Sequence, residues 1–193
     1  MFPEFATYIK AQANLSDHDI ELIHSKAIEK KLRRKEFLLH QGEVCRYKIF
    51  ISKGLIRTYA TREQGSEHIL RFSAENSWTT DPESFEFDTP SSLNIDAIEH
   101  SELVLWTKDD LRYLITNIPG LKTYFDKLMT SSGSLFRQRI LSNISSTAEE
   151  KYEDFVKNYP EISARAPLHM VASYLGVTRK TLTRIRHAQV KGK

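Results

Sequence analysis

Residues 167–187, PLHMVASYLGVTRKTLTRIRH, carry the spacing of two short helices joined by a tight turn. The apolar residues of the first helix recur at i, i+3, i+4 and i+7 and therefore share one face: Leu168, Val171, Ala172 and Leu175. Gly176 is expected to end that helix, and Thr178 is suited to cap a second one in which Leu182 and Ile185 face inward. The stretch predicts a helix-turn-helix.

The outward face of the second helix is polar and basic. In a helix-turn-helix this helix enters the major groove, where Arg reads guanine and Lys and Thr contact bases or phosphates. The candidate DNA-binding residues are Thr178, Arg179, Lys180, Thr183, Arg184 and His187. Two amphipathic helices joined through a glycine also occur in ordinary helical proteins, so the pattern alone leaves open a pair that only packs or docks.

Charge is distributed unevenly along the 193 residues, although the net charge is only +3. No acidic residue follows Glu161, and seven basic residues do: Arg165, Arg179, Lys180, Arg184, Arg186, Lys191 and Lys193. The remaining 21 basic residues (28 less 7) face 25 acidic ones, so the C-terminal end carries +7 and the rest −4. This asymmetry favours a polyanionic partner at one end of the chain.

Cys45 is the single cysteine, which excludes a disulfide framework, a cysteine-ligated iron–sulfur cluster and a zinc finger within one chain. The N-terminal residues lack the basic start and apolar core of a secretory signal, and no stretch approaches the roughly 20 apolar residues of a membrane span. We therefore expect a cytoplasmic protein.

Residues 36–106 show a different periodicity, with short β-rich segments separated by turn residues. These segments are FLLHQGE, YKIFISKG, LIRTYATREQGS, EHILRF, SLNIDAIE and SELVLWT. They predict an antiparallel β-roll flanked by helices, and hence an α+β protein. The basic run at 30–35 is interpreted as solvated surface between elements.

A long helix is predicted from Leu121 to about Ile144. One stripe of large apolar residues follows it: Leu121, Phe125, Leu128 and Leu135. Small residues at 131–134 would allow close approach to an identical helix, so the stripe is a candidate dimer seam. Packing of the stripe on the protein's own roll is nearly as well supported.

The residues needed for catalysis or metal binding do not form a recognisable pattern. His40, His68 and His100 are isolated, whereas a cupin-like metal site needs closely spaced histidines. The sequence also lacks a P-loop, a Gly-x-Ser-x-Gly motif and a Cys–His constellation. We therefore expect neither an enzyme nor a metal site.

The order of these elements resembles the family of the cyclic-AMP receptor protein and the fumarate–nitrate regulator (Crp/Fnr). Residues 178–185, TRKTLTRI, are similar to the family's recognition-helix pattern, which makes Arg179, Lys180 and Arg184 the base-contacting positions. The resemblance implies a cyclic-nucleotide-binding-like sensor roll at 1–118, a dimerisation helix at 119–145 and a helix-turn-helix domain at 146–193. It also implies a homodimer that binds double-stranded DNA, with RNA polymerase as a further candidate partner.

The sequence departs from the family in its phosphate-binding cassette. Where cyclic-nucleotide sensors have Gly-Glu and then Arg followed by Ser or Thr, this chain has Thr80-Asp81 and Ser91-Ser92. A serine hydroxyl cannot replace the charge-assisted contact of arginine with a phosphate. We therefore expect that cyclic AMP is not a strong effector, which leaves another small ligand, haem or no effector in this candidate pocket.

The sequence also ends within a few residues of the predicted recognition helix, so the β-hairpin wing that other members place there is expected to be missing. Lys191 and Lys193 are candidates for additional phosphate contacts, or else belong to a frayed terminus. Two hypotheses follow: a homodimeric DNA-binding transcription regulator, or a ligand-binding or protein-interaction module whose helix-turn-helix does not read DNA.

Overall fold

A computed structural model describes residues 3–63 and 65–191 of the chain. Within these ranges the helices are α1 Pro3–Gln12, α2 Asp17–Ser25, α3 Pro82–Phe87, α4 Lys108–Asn117, α5 Pro119–Ser145, α6 Ala148–Asn158, α7 Pro160–Arg165, α8 Leu168–Leu175 and α9 Arg179–Lys191. The strands are β1 Ile28–Leu32, β2 Phe37–Leu39, β3 Tyr47–Lys53, β4 Ile56–Thr61, β5 Glu67–Ser73, β6 Ser77–Thr79, β7 Asn94–Ala97 and β8 Ser101–Thr107.

The strands form two four-stranded antiparallel sheets, as the β-rich segments predict. One sheet has the order β1-β8-β3-β6 and the other β2-β7-β4-β5. Their facing surfaces enclose an apolar core: Leu32, Leu39, Cys45, Ile49, Ile51, Ile56, Ile95, Ala97, Leu103 and Leu105. The predicted α+β architecture with a β-roll is confirmed, and apolar side chains fill the space between the sheets.

The outer face of the first sheet is covered by helices that precede the roll in the sequence and by helices that follow it. Residues of α1, α2, α4 and the N-terminal half of α5 share one aromatic-rich cluster with that face. Within it the Trp78 indole donates to the hydroxyl of Tyr124 at 2.7 Å, and the Trp106 indole donates to the carbonyl of Ile23 at 3.0 Å. Because buried indoles need acceptors, these bonds fix how the helices sit on the sheet.

The outer face of the second sheet is covered by the C-terminal helices. Leu55, Tyr59, Ile69 and Phe72 share a buried cluster with inward residues of α6 to α9. A bulge between β4 and β5 pairs Tyr59 with Ile69 and Arg57 with Phe72, which directs both Ile69 and Phe72 outward. The roll and the C-terminal helices therefore share one hydrophobic core.

A buried ion pair lies on this same outer face. Arg57 on β4 and Asp96 on β7 are register partners, and the guanidinium donates to both carboxylate oxygens at 2.7 and 2.8 Å. Glu67 accepts a further bond from Arg57 at 2.5 Å, and the Tyr59 hydroxyl donates to Asp96 at 3.2 Å. Burial and the charge of Asp96 together raise the pKa of Tyr59 to about 12, so this phenol stays protonated and can donate.

Four short elements were not predicted from the sequence. Residues 30–32 of the basic run, interpreted as surface between elements, belong to β1, an edge strand paired with β8. Exposed lysines suit an edge strand because they discourage pairing with other chains. The other three are β6, α3 and α7, which have three, six and six residues and are too short for periodicity to indicate them.

Substitution of Asp96 by Ala is expected to destabilise the protein by about 3–5 kcal/mol, because it leaves the Arg57 charge buried without its main partner. Chemical denaturation followed by circular dichroism measures the change in the free energy of unfolding. The matched control is Glu102→Ala, which removes an exposed partner of Lys31 at 3.9 Å and should cost no more than about 1 kcal/mol. Similar losses in the two variants would contradict a stabilising buried pair.

Candidate nucleic-acid interface

The pair α8 and α9 is built as the sequence predicts. Gly176 ends α8 in the left-handed conformation at φ 68°, and the N–H of Val177 returns to the carbonyl of Ala172 at 3.0 Å. The Thr178 hydroxyl accepts from the N–H of Thr181 at 3.1 Å and so caps α9. Leu182 is fully buried against α8 and α6, so the orientation of α9 around its own axis is fixed.

The outward side of α9 presents a group of cations. The predicted residues Arg179, Lys180, Arg184 and His187 are all exposed. Positions 180, 184 and 187 follow at i, i+4 and i+7, which places them on one face. Only Arg184 has an intramolecular charge partner among the described residues, a 3.6 Å contact with exposed Glu149. Thr178 is exposed, and Lys193 and the side chain of Lys191 lie outside what the structure describes.

Thr183 differs from its predicted neighbours. Its side chain is half-buried, and its hydroxyl donates to the carbonyl of Arg179 at 2.9 Å. This bond satisfies the hydroxyl within α9, which leaves mainly the methyl group and one lone pair for an external contact.

The inner side of α8 docks on the exposed edge of strand β5. The Ser173 hydroxyl donates to the carbonyl of Glu67 at 2.8 Å and accepts from the N–H of Ile69 at 3.0 Å. Arg139 on α5 donates to the carbonyls of Leu70, of Ile69 at 3.2 Å and of Tyr174 at 3.0 Å. These bonds satisfy main-chain groups at the sheet edge and join α5, α8 and the roll at one place.

A second contact joins α7 to two turns of the roll, which contain Glu75 and Glu99. The Arg165 guanidinium bonds the carboxylate of Glu75 at 2.7 and 2.9 Å and also pairs with Glu99. The bonds to Arg165, together with one from the N–H of Gly54, hold the pKa of Glu75 below its usual value despite burial. Arg165 thus acts as a bridge between the C-terminal helices and two turns of the roll.

The long helix α5 has two apolar stripes rather than one. Of the predicted seam, Leu121 and Phe125 are buried in the core formed with the first sheet, and Leu128 packs against it. These three residues therefore follow the second alternative, in which the stripe packs on the protein's own roll. Leu135 is 56% exposed, and a second stripe is exposed beside it: Met129, Phe136, Ile140, Leu141 and Ile144.

The residues of the predicted effector pocket bond to one another and to the main chain. Asp81 caps α3, and its carboxylate also accepts from the Ser91 hydroxyl at 2.6 Å. Thr80 donates to the carbonyl of Tyr47 at 3.1 Å. Ser92 is exposed, whereas Asp81 and Ser91 are buried. In the described part of the chain, no Lys or Arg side chain is bonded to any of these four residues.

Residues 3–63 and 65–191 include no helix that is long and apolar enough to cross a membrane. No group of three or more His, Cys, Asp and Glu side chains in that part of the chain is placed to hold a metal ion.

Comparisons with known proteins agree with this architecture. Residues 29–117 match the family model of the cyclic nucleotide-binding domain. CooA from Carboxydothermus hydrogenoformans superposes with a TM-score of 0.74 at 14% identity, covering 92% of this chain and 82% of that one. The c-di-GMP-responsive global regulator CLP of Xanthomonas campestris gives 0.72 at 11% identity, covering 92% and 93%. A transcriptional regulator of the Crp/Fnr family from Eubacterium rectale gives 0.69 at 18% identity, covering 93% and 86%.

The roll is therefore a cyclic nucleotide-binding domain in fold. The similarity to solved structures extends through the C-terminal helices at 18% identity or less, so the chain as a whole has the fold of these proteins, and this fold is the one that the resemblance in the sequence implies. Two of these three proteins are named as regulators. No curated protein sequence matches the chain significantly.

The contacts between the roll and the C-terminal helices were not predicted from the sequence. The sequence indicates Arg165 only as part of the basic terminus, and it gives no signal for Arg139 or Ser173. The alternation of residues around β4 does indicate that Arg57 is buried, because Arg57 lies two positions from both Leu55 and Tyr59 and so shares their face of the strand. Its partner could not have been found, because the pairing of β4 with β7 joins residues 39 positions apart.

Substitution of Arg165 by Ala is expected to loosen the contact between the C-terminal helices and the roll, because Glu75 and Glu99 lose their shared partner. Amide hydrogen exchange in α8 and β5 should become about tenfold faster, which corresponds to about 1.4 kcal/mol of local stability. Arg112→Ala, which removes an exposed pair with Glu86, is the control and should leave these amides unchanged. Unaltered exchange in the Arg165 variant would show that the bridge does not hold the contact.

Proposed function

We propose that this protein is a sequence-specific DNA-binding transcription regulator of Crp/Fnr type that acts as a homodimer. In this proposal α8 and α9 are a helix-turn-helix with α9 as its recognition helix. The sensor roll spans 1–118, the dimerisation helix 119–145 and the DNA-binding domain 146–193. The single observation that carries the proposal is the exposed cationic face of α9 on a helix whose opposite face is buried.

The basic face is suited to DNA because its cations are free for an external partner. Exposed lysines and arginines on a globular protein are commonly balanced by nearby carboxylates, yet the chain carries no acidic residue after Glu161. The one intramolecular partner within the described structure, Glu149, lies on α6 and contacts Arg184 at a distance too long for a hydrogen bond. A phosphate or a guanine edge can replace that contact without leaving a buried charge unpaired.

Substitution of Arg179 or Arg184 by Ala is expected to weaken binding to the specific DNA site by about 1–3 kcal/mol each, because each removes a bidentate donor to a guanine. Binding to unrelated duplex should fall less. Fluorescence anisotropy measures both, with a duplex selected by the full chain from random sequence and with a scrambled version of it. Arg112→Ala, which removes an exposed arginine of α4, outside α5 and α9, is the control. An equal loss on all sequences would contradict base reading and favour phosphate contact alone.

The second hypothesis is a ligand-binding or protein-interaction module. The docking of α8 on β5 is compatible with it, since a helix pair held this way could serve packing alone. Failure of the intact dimer to bind any duplex at low salt would favour this hypothesis over the first.

The dimer seam that we propose is the second stripe of α5 and not the predicted one. Met129, Gly133, Phe136 and Ile140 follow at spacings of four, three and four, which is the repeat of a coiled coil. A Cβ at Gly133 would meet only the end of the Arg137 side chain, at 3.8 Å. The glycine is therefore not required by the chain's own packing, and its place in the seam would let two helices approach closely.

Substitution of Phe136 by Glu is expected to shift the protein from dimer to monomer, because two carboxylates would face each other across a symmetric apolar seam. The dimer dissociation constant should rise at least ~100-fold, as for a hot-spot residue. Sedimentation equilibrium measures this constant. Phe87→Glu, at a side chain 71% exposed outside α5, is the control. A Phe136 variant that stays dimeric would contradict this seam.

Cyclic AMP is expected not to act as the effector. The carboxylate of Asp81 is already bonded, Ser91 supplies no positive charge, and apolar side chains fill the roll interior. Isothermal titration calorimetry with cyclic AMP should show no saturable binding in the micromolar range. Saturable micromolar binding would overturn this expectation, and a shift in DNA affinity at the same concentrations would identify cyclic AMP as a regulator.

A further inference from the structure

Two adjoining cavities open where α5, strand β5 and the C-terminal helices meet. Their volumes are about 490 and 340 Å³, and both are lined by Leu135, Arg139, Phe155, Tyr159 and Tyr174. The smaller cavity is also lined by Phe136, a residue of the proposed dimer seam. We refer to the two together as the junction cleft. Sites for small molecules commonly have volumes of roughly 300–1,000 Å³ and lie between structural units. The cleft is separate from the interior of the roll, which apolar side chains fill.

One wall of the junction cleft is aromatic. The ring of Tyr174 lies 5.2 Å from that of Phe72 and 5.4 Å from that of Phe155, and Phe155 lies 5.8 Å from Tyr159. Burial raises the pKa of Tyr174, so its phenol is neutral at physiological pH. Phe72 and Phe155 are buried, so Tyr159 and Tyr174 are the rings of this wall that offer a surface on which a planar apolar group can lie.

The cleft is lined by two arginines, Arg71 and Arg139, that form no ion pair with a carboxylate within the described structure. Arg139 donates three of its five N–H groups to main-chain carbonyls. It also stacks on the Tyr174 ring, with its guanidinium carbon 3.9 Å from the ring centroid. Burial lowers the pKa of Arg139. Arg71 is exposed and lines the smaller cavity.

The carboxylates that line the cleft do not change this balance. Glu75 is bonded in bidentate fashion to Arg165. Asp154 is exposed and lines the larger cavity together with Lys151, so one charge of each sign lies there. The excess of positive charge therefore lies at Arg71 and Arg139, beside the aromatic wall.

We propose that the junction cleft binds a small organic anion with a planar apolar body, of the class of aromatic carboxylates. Its ring lies against Tyr159 and Tyr174. Its carboxylate accepts from Arg71 and from the Arg139 donors that the main chain does not use. A carboxylate placed between two arginines gains charge-assisted hydrogen bonds and offsets a cation that is otherwise partly desolvated.

Such a ligand would touch the roll, the long helix and the C-terminal helices at once. Arg71 belongs to β5, Arg139 to α5 and Tyr174 to α8. Because a ligand stabilises the arrangement that it binds, an anion in the cleft would favour the docked position of α8 on β5. The proposal itself concerns only the binding site and does not depend on recognition of DNA by α9.

Calorimetric titration of the full chain, without DNA, with 1-naphthoate and with its neutral analogue 1-naphthamide tests the site. We expect one naphthoate per chain, bound at least ~10-fold more tightly than the amide, as one charge-assisted contact provides. Arg71→Gln should abolish this preference, because it removes a cation that binds the carboxylate. The variant should fold normally, because the Arg71 side chain has no hydrogen bond or ion pair to lose within the described structure. Arg137→Gln, an exposed arginine on α5 that lines neither cavity, is the matched control and should bind as the unmodified protein does.

Three results would overturn the proposal: no saturable binding of naphthoate to folded protein, equal affinity for acid and amide, or the same loss in both arginine variants. The last result would indicate general attraction of anions to a basic surface. Circular dichroism of each variant establishes that it is folded. Since DNA takes no part, failure here leaves the proposed regulator function standing, and failure of DNA binding leaves this site standing.

Discussion

The outer face of the second sheet carries apolar residues and a buried ion pair, so it has to be shielded from water. The arrangement of the C-terminal helices that cover this face determines the rest of the structure. Arg57 and Asp96 lie on that face with 8% and 3% of their surface exposed, beside the apolar residues Tyr59 and Phe72. A buried pair is tolerable only when its remaining donors and acceptors are satisfied, and here Glu67 and the Tyr59 hydroxyl complete it. Because α6 to α9 supply the apolar cover, the C-terminal helices and the second sheet share one buried cluster.

This shared core explains why α9 can present its cations to a partner. The inward residues of α8 and α9 pack against the roll and α6, so the outward face of α9 is held in a fixed orientation. The main-chain groups at the edge of β5 are bonded by Ser173 and Arg139, which ties the position of α8 to that strand. A displacement of β5 must therefore either move α8 or break these bonds. The junction cleft lies beside them, where a ligand would affect both.

Periodicity predicted most of the elements but few of the partners. The stretch 167–187 indicated both helices, the turn at Gly176 and the cap at Thr178, because each rests on neighbours within four positions. The stripe on α5 was also real, yet whether Leu121 and Phe125 face the roll or a partner depends on the tertiary position of the helix, which the sequence does not contain. The bond of Arg57 to Asp96 and the contacts of Arg139 and Arg165 join residues 35 to 90 positions apart and follow only from the fold.

The central claim is that α9 reads DNA sequence as one half of a symmetric pair. Selection of bound duplexes from a pool of random sequence by the full chain tests it most directly, since the operator does not have to be known. We expect enrichment of a near-palindrome whose half-sites lie about one helical turn, ~34 Å, apart and contain guanines where arginines are expected to bind. A bound pool without an enriched motif, at salt concentrations where binding persists, would contradict it.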